Sequence, residues 1–393
     1  MATEFTFRIK KFHPALETLR HAWTTARHLL AGGPRPLRML LASDGEWYTS
    51  EQQFAPMVRH RAALARRFGV SFQHRIIGAD ARLDARSLRR FDLVGVKLCF
   101  KKDAATAERI VADLRRATSE LGIPLVYFDG DDDPSLQWPQ LVDSVDLVVK
   151  KHLYSDPQEY LKARIGKTNL TDYVARHFGW DFSRDINPGF PGLAQAQIPK
   201  LHLGWNIALD DKIRELSRNP LVQARIVKDV DIGTRAPAAA DAWISPMRRM
   251  AVDKIEALGG RFRVLAPTDR VPQDKYYEEM LRTRICVSPF GFGELCWRDF
   301  EAILCGCLLV KPDMAHLRTT PDIFLPDECF VPVKWDYSDL EEVCARYLAD
   351  EDLRRKVAGN ALRKLKEALE APYFVDRFAE LLGRLDLPAT PRH

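Results

Sequence analysis

The segment Ser288-Pro-Phe-Gly-Phe-Gly-Glu-Leu-Cys-Trp-Arg-Asp-Phe-Glu301, followed by Ala302-Ile-Leu-Cys-Gly-Cys-Leu-Leu-Val310, has the residue types and spacing to hold a diphosphate. Arg284 to Val287 reads as a short apolar strand. Pro289, Gly291 and Gly293 break it and let the backbone approach a ligand closely. A helix is expected to start near Gly293, where free N–H groups and the helix dipole favour an anion by about 0.3–1 kcal/mol per exposed charge. In that helix Glu294, Arg298 and Glu301 fall at i, i+4 and i+7 and would share one outward stripe, with Cys296, Trp297, Phe300, Ile303 and Leu304 opposite. Two readings of the stripe stay open. One is a pair of intrahelical ion pairs worth only about 0.2–0.5 kcal/mol each. The other is a donor site, in which Ser288, the loop amides and Arg298 face the phosphates and Glu301 accepts from ribose or sugar hydroxyls. Gly306 then ends the helix, and Cys307 to Val310 follows as a buried strand.

Four other places could carry chemistry. Gly233-Thr234-Arg235 is a glycine loop after a buried strand, where Arg235 is either a phosphate contact or a surface arginine. Asp129-Gly-Asp-Asp-Asp-Pro134 also follows a strand. It reads as a solvated turn, as a carboxylate site for a divalent cation, or as an acceptor-site or general-base role for Asp131 or Asp132. Asp44-Gly-Glu46 ends the first strand, with Asp44 as a turn residue or a base. His152 and His202 stand alone near strand ends and read as core or surface histidines first; Lys311 is equally open.

The elements that position these residues alternate. Strands are expected at Arg38 to Ser43, Ser71 to Ile77, Phe91 to Phe100, Ile123 to Phe128 and Val145 to Lys150, with helices at Gln52 to Phe68 and Ala104 to Leu121. Short apolar strands separated by amphipathic helices imply parallel βαβ units, with ligands beyond the carboxyl ends of the strands. Residues 155–205 break this rhythm, and Pro199 to Asn206 reads as an interdomain crossing. The pattern restarts with strands at Val227 to Ile232 and Arg261 to Ala266. Between them lies a helix capped by Ser245 with Pro246 in its first turn, and Asp274 to Leu281 forms the next helix. Tyr373, Phe374, Phe378, Leu381 and Leu382 mark a last helix over 371–386, and Pro388 to His393 a loose tail.

Ser288, Pro289, Gly291, Gly293, Arg298, Phe300, Glu301, Ala302, Gly306 and Cys307 together resemble the donor-binding motif of GT-B glycosyltransferases, especially the bacterial CgeB-like and exostosin-like group. Phe330 to Leu340 and Leu348 to Leu353 are similar to the segments that close that domain, so the likeness covers roughly residues 225–370. Many retaining members carry two glutamates eight positions apart; Glu294 and Glu301 are seven apart, and the stereochemical outcome does not follow.

The resemblance implies two Rossmann-like parallel α/β domains facing a cleft, with the last helix returning to the first domain. The expected division is a helical segment 1–36, an acceptor-binding domain 37–205, a nucleotide-sugar domain 206–370, and a C-terminal helix and tail 371–393. It implies transfer of a hexosyl or related sugar from a nucleotide-diphospho-sugar to a glycan or lipid-linked acceptor in bacterial surface-polysaccharide assembly. No metal or other cofactor is expected, and Gly233-Thr234-Arg235 would meet the β-phosphate. The alternatives are a nucleotide-sugar epimerase of the same fold and a non-catalytic nucleotide-sugar binder.

Composition agrees with such a chain. Its 393 residues with 46% hydrophobic content suffice for two cores, and a net charge of +5, evenly mixed, gives no footprint for nucleic acid. Seven cysteines in apolar contexts read as reduced thiols, which favours the cytoplasm, and Cys305 with Cys307 lacks a second ligand pair for zinc. No run is long and apolar enough for a signal peptide or spanning helix. Leu16, Leu19, Trp23, Ala26 and Leu30 form a helical stripe over 14–31. Packing on the body is the expectation there, with peripheral contact at the inner face of an anionic membrane as the other reading.

Overall fold

The computed structural model describes residues 36–46, 52–78, 83–223, 226–237 and 242–387, together with helical positions 19, 22, 23, 26, 27 and 30. The first sheet contains β1 (Leu37–Ser43), β2 (Val70–Ile76), β3 (Leu93–Lys97), β4 (Leu125–Asp129), β5 (Leu147–Lys150) and β9 (Leu201–Leu203), in the order β2-β1-β3-β4-β5-β9. Every pairing in it is parallel. Its strands are almost wholly buried on both faces, which is why they read as continuous apolar runs rather than alternating ones. The crossover helix α1 (Ala104–Leu121) has the expected bounds. The Asp103 side chain caps its first turn and Gly122, at φ 57°, ends it in the left-handed region.

The segment after β5 supplies β6 (His152–Tyr154), a two-residue pair β7 (Arg164–Ile165) and β8 (Gly189–Phe190), and α2 (Asn169–Phe178) between them. The second sheet is also parallel: β10 (Val230–Gly233), β11 (Val264–Leu265), β12 (Thr283–Val287), β13 (Leu308–Pro312) and β15 (Val331–Val333), in the order β11-β10-β12-β13-β15. Two parallel α/β layers facing each other, closed by a helix that returns to the first, make the GT-B arrangement expected from the sequence.

Three local expectations are corrected. The stretch Gln52 to Phe68 is two helices, Ala55–Arg59 and Arg61–Phe68, broken at His60. Ser245 is the first helical residue rather than the cap, and Ile244 precedes it without a side-chain cap bond. At the described positions of the N-terminal stripe, Leu19, Trp23 and Leu30 are 67%, 64% and 88% exposed, so these side chains do not pack on the body. Leu16 of the stripe and Pro388 to His393 lie outside the described residues.

Two devices join the domains. β14 (Leu317–Thr319) pairs antiparallel with β6, setting Thr319 opposite His152, and beside that ribbon Asn206, in the crossing that follows β9, donates its N–H to the Thr320 carbonyl at 2.7 Å. The last helix, Ala371–Leu382, carries Phe374 against Trp205 (ring centroids 4.9 Å) and His60 (5.4 Å), and Phe378 against Phe72 (5.7 Å). Phe374→Ala is expected to cost about 3–5 kcal/mol in urea denaturation, because the cavity would open between elements that cannot collapse independently. A loss under about 1 kcal/mol would show that the returning helix does not hold the domains.

Candidate functional site

The glycine loop and the aspartate turn, far apart in sequence, meet backbone to backbone. A Cβ built on Gly293 would lie 1.5 Å from the Asp132 carbonyl oxygen and 2.1 Å from its carbon. Only glycine fits, and the reason is contact between domains rather than ligand approach. Gly291 differs: its nearest neighbours to such a Cβ are 3.6 Å or more away, one of them an Arg248 guanidinium nitrogen.

The expected helix start near Gly293 is corrected by this contact. Residues 288–296 form an excursion, and the helix runs Trp297–Leu304. Asp299 fixes its start by accepting from the Cys296 N–H at 3.0 Å and the Ser288 hydroxyl at 2.5 Å. Ser288 therefore braces the loop. Lys311 donates to the Glu294 carbonyl at 2.7 Å and lies 3.4 Å from Asp299, so it too is a brace.

The outward stripe does not form, because Glu294 precedes the helix. Glu294 is 0% exposed and Glu301 2%. Glu294 bonds His316 Nε2 at 3.0 Å and lies 3.9 Å from His152 Nε2, across the domain boundary. Glu301 accepts from the Tyr276 and Tyr277 hydroxyls at 2.8 Å each and from Lys212 at 2.5 Å. Neither glutamate pairs with Arg298, so the ion-pair reading of the stripe is overturned.

Arg298 instead donates to the Pro289 carbonyl at 3.2 Å, and its buried Nε has no partner. Arg248, which sequence reasoning missed, reaches the same loop. It donates to the Pro237 carbonyl at 2.8 Å and the Phe290 carbonyl at 3.4 Å. Among the described residues neither guanidinium has a carboxylate partner. Burial, and then the Arg298 charge, pull Arg248 down to about 10. Against burial, Cys296, Tyr276, Cys286 and Asp299 hold Arg298 above its ordinary value, so of the two cations beside the glycine loop it is Arg248 that an added anion would relieve most.

Arg235 takes no such part. It forms a bidentate pair with Glu279 (2.8 and 2.7 Å) and bonds Asp269 at 2.7 Å. Its five donors are largely spent within the second domain. Gly233 packs against Thr283, which a Cβ would meet at 2.8 Å, and Thr234 keeps an unpartnered buried hydroxyl in the crevice between them.

At the carboxyl end of the first sheet four aspartates face four lysines. Asp129 pairs with Lys150 (2.9 Å), Asp131 with Lys97 (3.1 Å) and Lys167 (3.0 Å), Asp133 with Lys167 (2.9 Å) and Asp132 with Lys151 (3.1 Å). The turn is not a solvated one: of the four, only Asp132 is substantially exposed, its side chain 49%. Among the described residues no group of three potential ligands is placed to hold a metal ion. Against the effect of burial, Lys167, Lys97 and Lys150 hold Asp131 well below the usual carboxylate range. Burial wins at Asp133 and pushes it up to about 6 despite Lys167. Asp44 accepts the Cys99 N–H at 2.6 Å and lies 3.7 Å from Lys102, so it ties the loop after β3. Burial, then Lys150 and Lys151, hold His152 well below its ordinary value; His202 is likewise lowered, to about 4, by burial and nearby arginines.

A cavity of about 360 Å³ opens between the aspartate turn and the glycine loop, lined by Asp132, Lys167 and Phe182 from the first domain and by Trp243 and Phe292 from the second. Lys97 and Lys150 could have been found from sequence, since each closes an apolar strand beside the strand ending in Asp129; Arg248, Trp243 and Phe292 gave no comparable signal.

Residues 243–382 match the family model described as Glycosyl transferase-like. That span carries Arg248, the glycine loop, Arg298 and Glu301. No curated protein sequence matches the chain. Among solved structures, the chain is similar to Anabaena HepE in complex with UDP, at 12% identity over 88% of this chain and 99% of that one, with a TM-score of 0.45. It is also similar to an alpha-glucosyltransferase in complex with UDP-glucose and DNA containing an abasic site, at 8% identity, 88% and 99% coverage and TM-score 0.47. A putative UDP-N-acetylglucosamine 2-epimerase from Listeria monocytogenes gives 11%, 90%, 99% and 0.42.

Gly293→Ala is expected to lower stability by about 2 kcal/mol or more, since backbone must move, whereas Gly291→Ala stays within about 0.5 kcal/mol. Thermal unfolding of both checks this; equal stability would mean the domains do not touch at this point.

Asp133 has a folded value raised above its unfolded one. Its contribution to stability is full below about pH 3.8 and is lost as pH rises through about 6, an effect of order 3 kcal/mol. Urea denaturation of wild type and Asp133→Asn between pH 4 and 7 should show the wild-type advantage declining with pH. An advantage that grew with pH would refute the assignment.

Proposed function

We propose that the chain is a glycosyltransferase that binds a nucleotide-diphospho-sugar against the loop Ser288 to Cys296 and transfers the sugar to a hydroxyl-bearing acceptor held in the interdomain cavity. The observation that carries this is the pair Arg248 and Arg298, two half-buried guanidinium groups beside a glycine loop that have no carboxylate partner among the described residues. The family match over residues 243–382 supports it.

In the transfer the acceptor oxygen forms a bond to the anomeric carbon while the bond from that carbon to the phosphate oxygen breaks. The leaving diphosphate takes that electron pair, and the acceptor proton goes to a carboxylate. Asp132 suits that role because it is half-exposed and lines the cavity, whereas Asp44 already holds a backbone N–H. The charge gained by the diphosphate meets two preorganised cations, which act most strongly in the transition state. With four lysines already matching the four aspartates, the reading needs no metal. A carboxylate-lined acceptor cavity also favours transfer over an epimerase or a simple binder. The motif resemblance supports reading the reaction as part of glycan or glycoconjugate assembly, and in this reading Glu301, held by Tyr276 and Tyr277, stands at the sugar or ribose end with Gly233 and Thr234 nearby.

Arg298→Ala and Arg248→Ala should each weaken binding of nucleoside diphosphates by about 1.5–3 kcal/mol, read as loss of thermal stabilisation across a nucleotide panel. Unchanged affinity in Arg298→Ala would remove the phosphate site.

A further inference from the structure

The interdomain cavity has apolar walls and a polar floor whose groups are already committed to one another. Phe182, Trp243 and Phe292 form one aromatic wall across the domain boundary, with centroids 5.9 Å and 6.0 Å apart and ring planes at 57° and 68°. Phe100 and Ile186 also line it. Ile186, from the segment that interrupts the α/β rhythm, is 66% exposed, and Phe292, from the glycine loop, is 53% exposed. Two large apolar side chains open to solvent at one cavity, one from each domain, are the kind of surface a ligand covers.

The floor decides which ligand. Lys167 is spent on Asp131 and Asp133. Gln137 donates to the Phe100 carbonyl at 2.8 Å and accepts from Asn187 at 3.3 Å. The Thr168 hydroxyl donates to Asn169 at 2.8 Å, and the Thr171 hydroxyl donates to the Ile165 carbonyl at 2.9 Å. What remains is chiefly carboxylate capacity on Asp132 and Asp185. A sugar ring carries hydroxyls all round its rim, and each one buried without a partner costs about 1–3 kcal/mol. An aromatic body has no such rim and gains about 0.5–1.5 kcal/mol per edge-to-face contact beyond its buried area. A long alkyl chain gains buried area there but no edge-to-face contact with the aromatic wall.

We propose that this cavity takes the aromatic body of a hydroxylated acceptor, a phenol or fused-ring alcohol, with its hydroxyl directed to the Asp132 carboxylate. The inference rests on the transferase reading for the hydroxyl's role, and on the cavity alone for the aromatic body.

The test uses the full chain and the fluorescent phenol umbelliferone, with methyl glucoside and octanol as competitors, and a nucleoside diphosphate thermal shift on the same preparation. Umbelliferone is expected to bind saturably, with affinity reduced about tenfold, ~1.4 kcal/mol, by Ile186→Ser and by Phe292→Ser, both at solvent-exposed positions. Neither competitor should displace it. Displacement by methyl glucoside would assign the cavity to a sugar and displacement by octanol to an alkyl chain; either overturns the proposal, as does unchanged or absent umbelliferone binding. If a nucleotide stabilises the protein while umbelliferone fails to bind, the acceptor inference falls alone. If umbelliferone binds as expected and no nucleotide stabilises the wild type, the donor reading falls and the aromatic cavity stands.

Discussion

The backbone contact between Gly293 and Asp132 is the constraint on which the rest of the site depends. It joins the loop after one sheet's central strand to the turn after the other's, so both sheets present their carboxyl ends to one opening. Because a peptide carbonyl fills the space a side chain would need, the position admits only glycine. The same contact displaces the helix start from Gly293 to Trp297 and draws Glu294 out of the helix into the domain boundary, between His316 and His152.

Charge is distributed unequally around that contact. On the first domain's side four aspartates and four lysines cancel, and a buried ionic cluster of this kind holds a shape at little net gain, because desolvation offsets most of the attraction. On the second domain's side Arg248 and Arg298 have no carboxylate hydrogen-bonded to them among the described residues; Arg248 reaches carbonyls, and Arg298 reaches the Pro289 carbonyl and the Ser288 hydroxyl. In the proposed reading the neutral cluster leaves the cavity to an acceptor hydroxyl, and the arginines beside the loop take an anionic donor. Glu301 does not offset the cations, since two tyrosine hydroxyls and Lys212 occupy it.

The segment 155–205 looks irregular from sequence because its turn-rich stretches and two-residue strands surround a single ten-residue helix, α2. Its work is tertiary. It follows directly on β6, the strand of the ribbon that ties the domains, and carries Phe182 and Ile186 to the cavity that Trp243 and Phe292 also line.

The strand–helix alternation, both parallel sheets and the importance of the glycine loop were determined by the chain itself, since periodicity and glycine placement are local physics. Arg38 to Ser43, Ala104 to Leu121 and Arg284 to Val287 needed no partner to be recognised. What each charged residue faces is not local. Glu294, Arg298 and Glu301 look alike on a helical wheel, yet one is hydrogen-bonded to His316 near His152, one donates to the Pro289 carbonyl and the Ser288 hydroxyl of the loop, and one is held by tyrosines. Arg235 looks free in sequence and is clamped by Glu279 and Asp269. Desolvation and pairing depend on elements tens to more than a hundred residues away, so only the folded chain decides which cations remain available to a ligand.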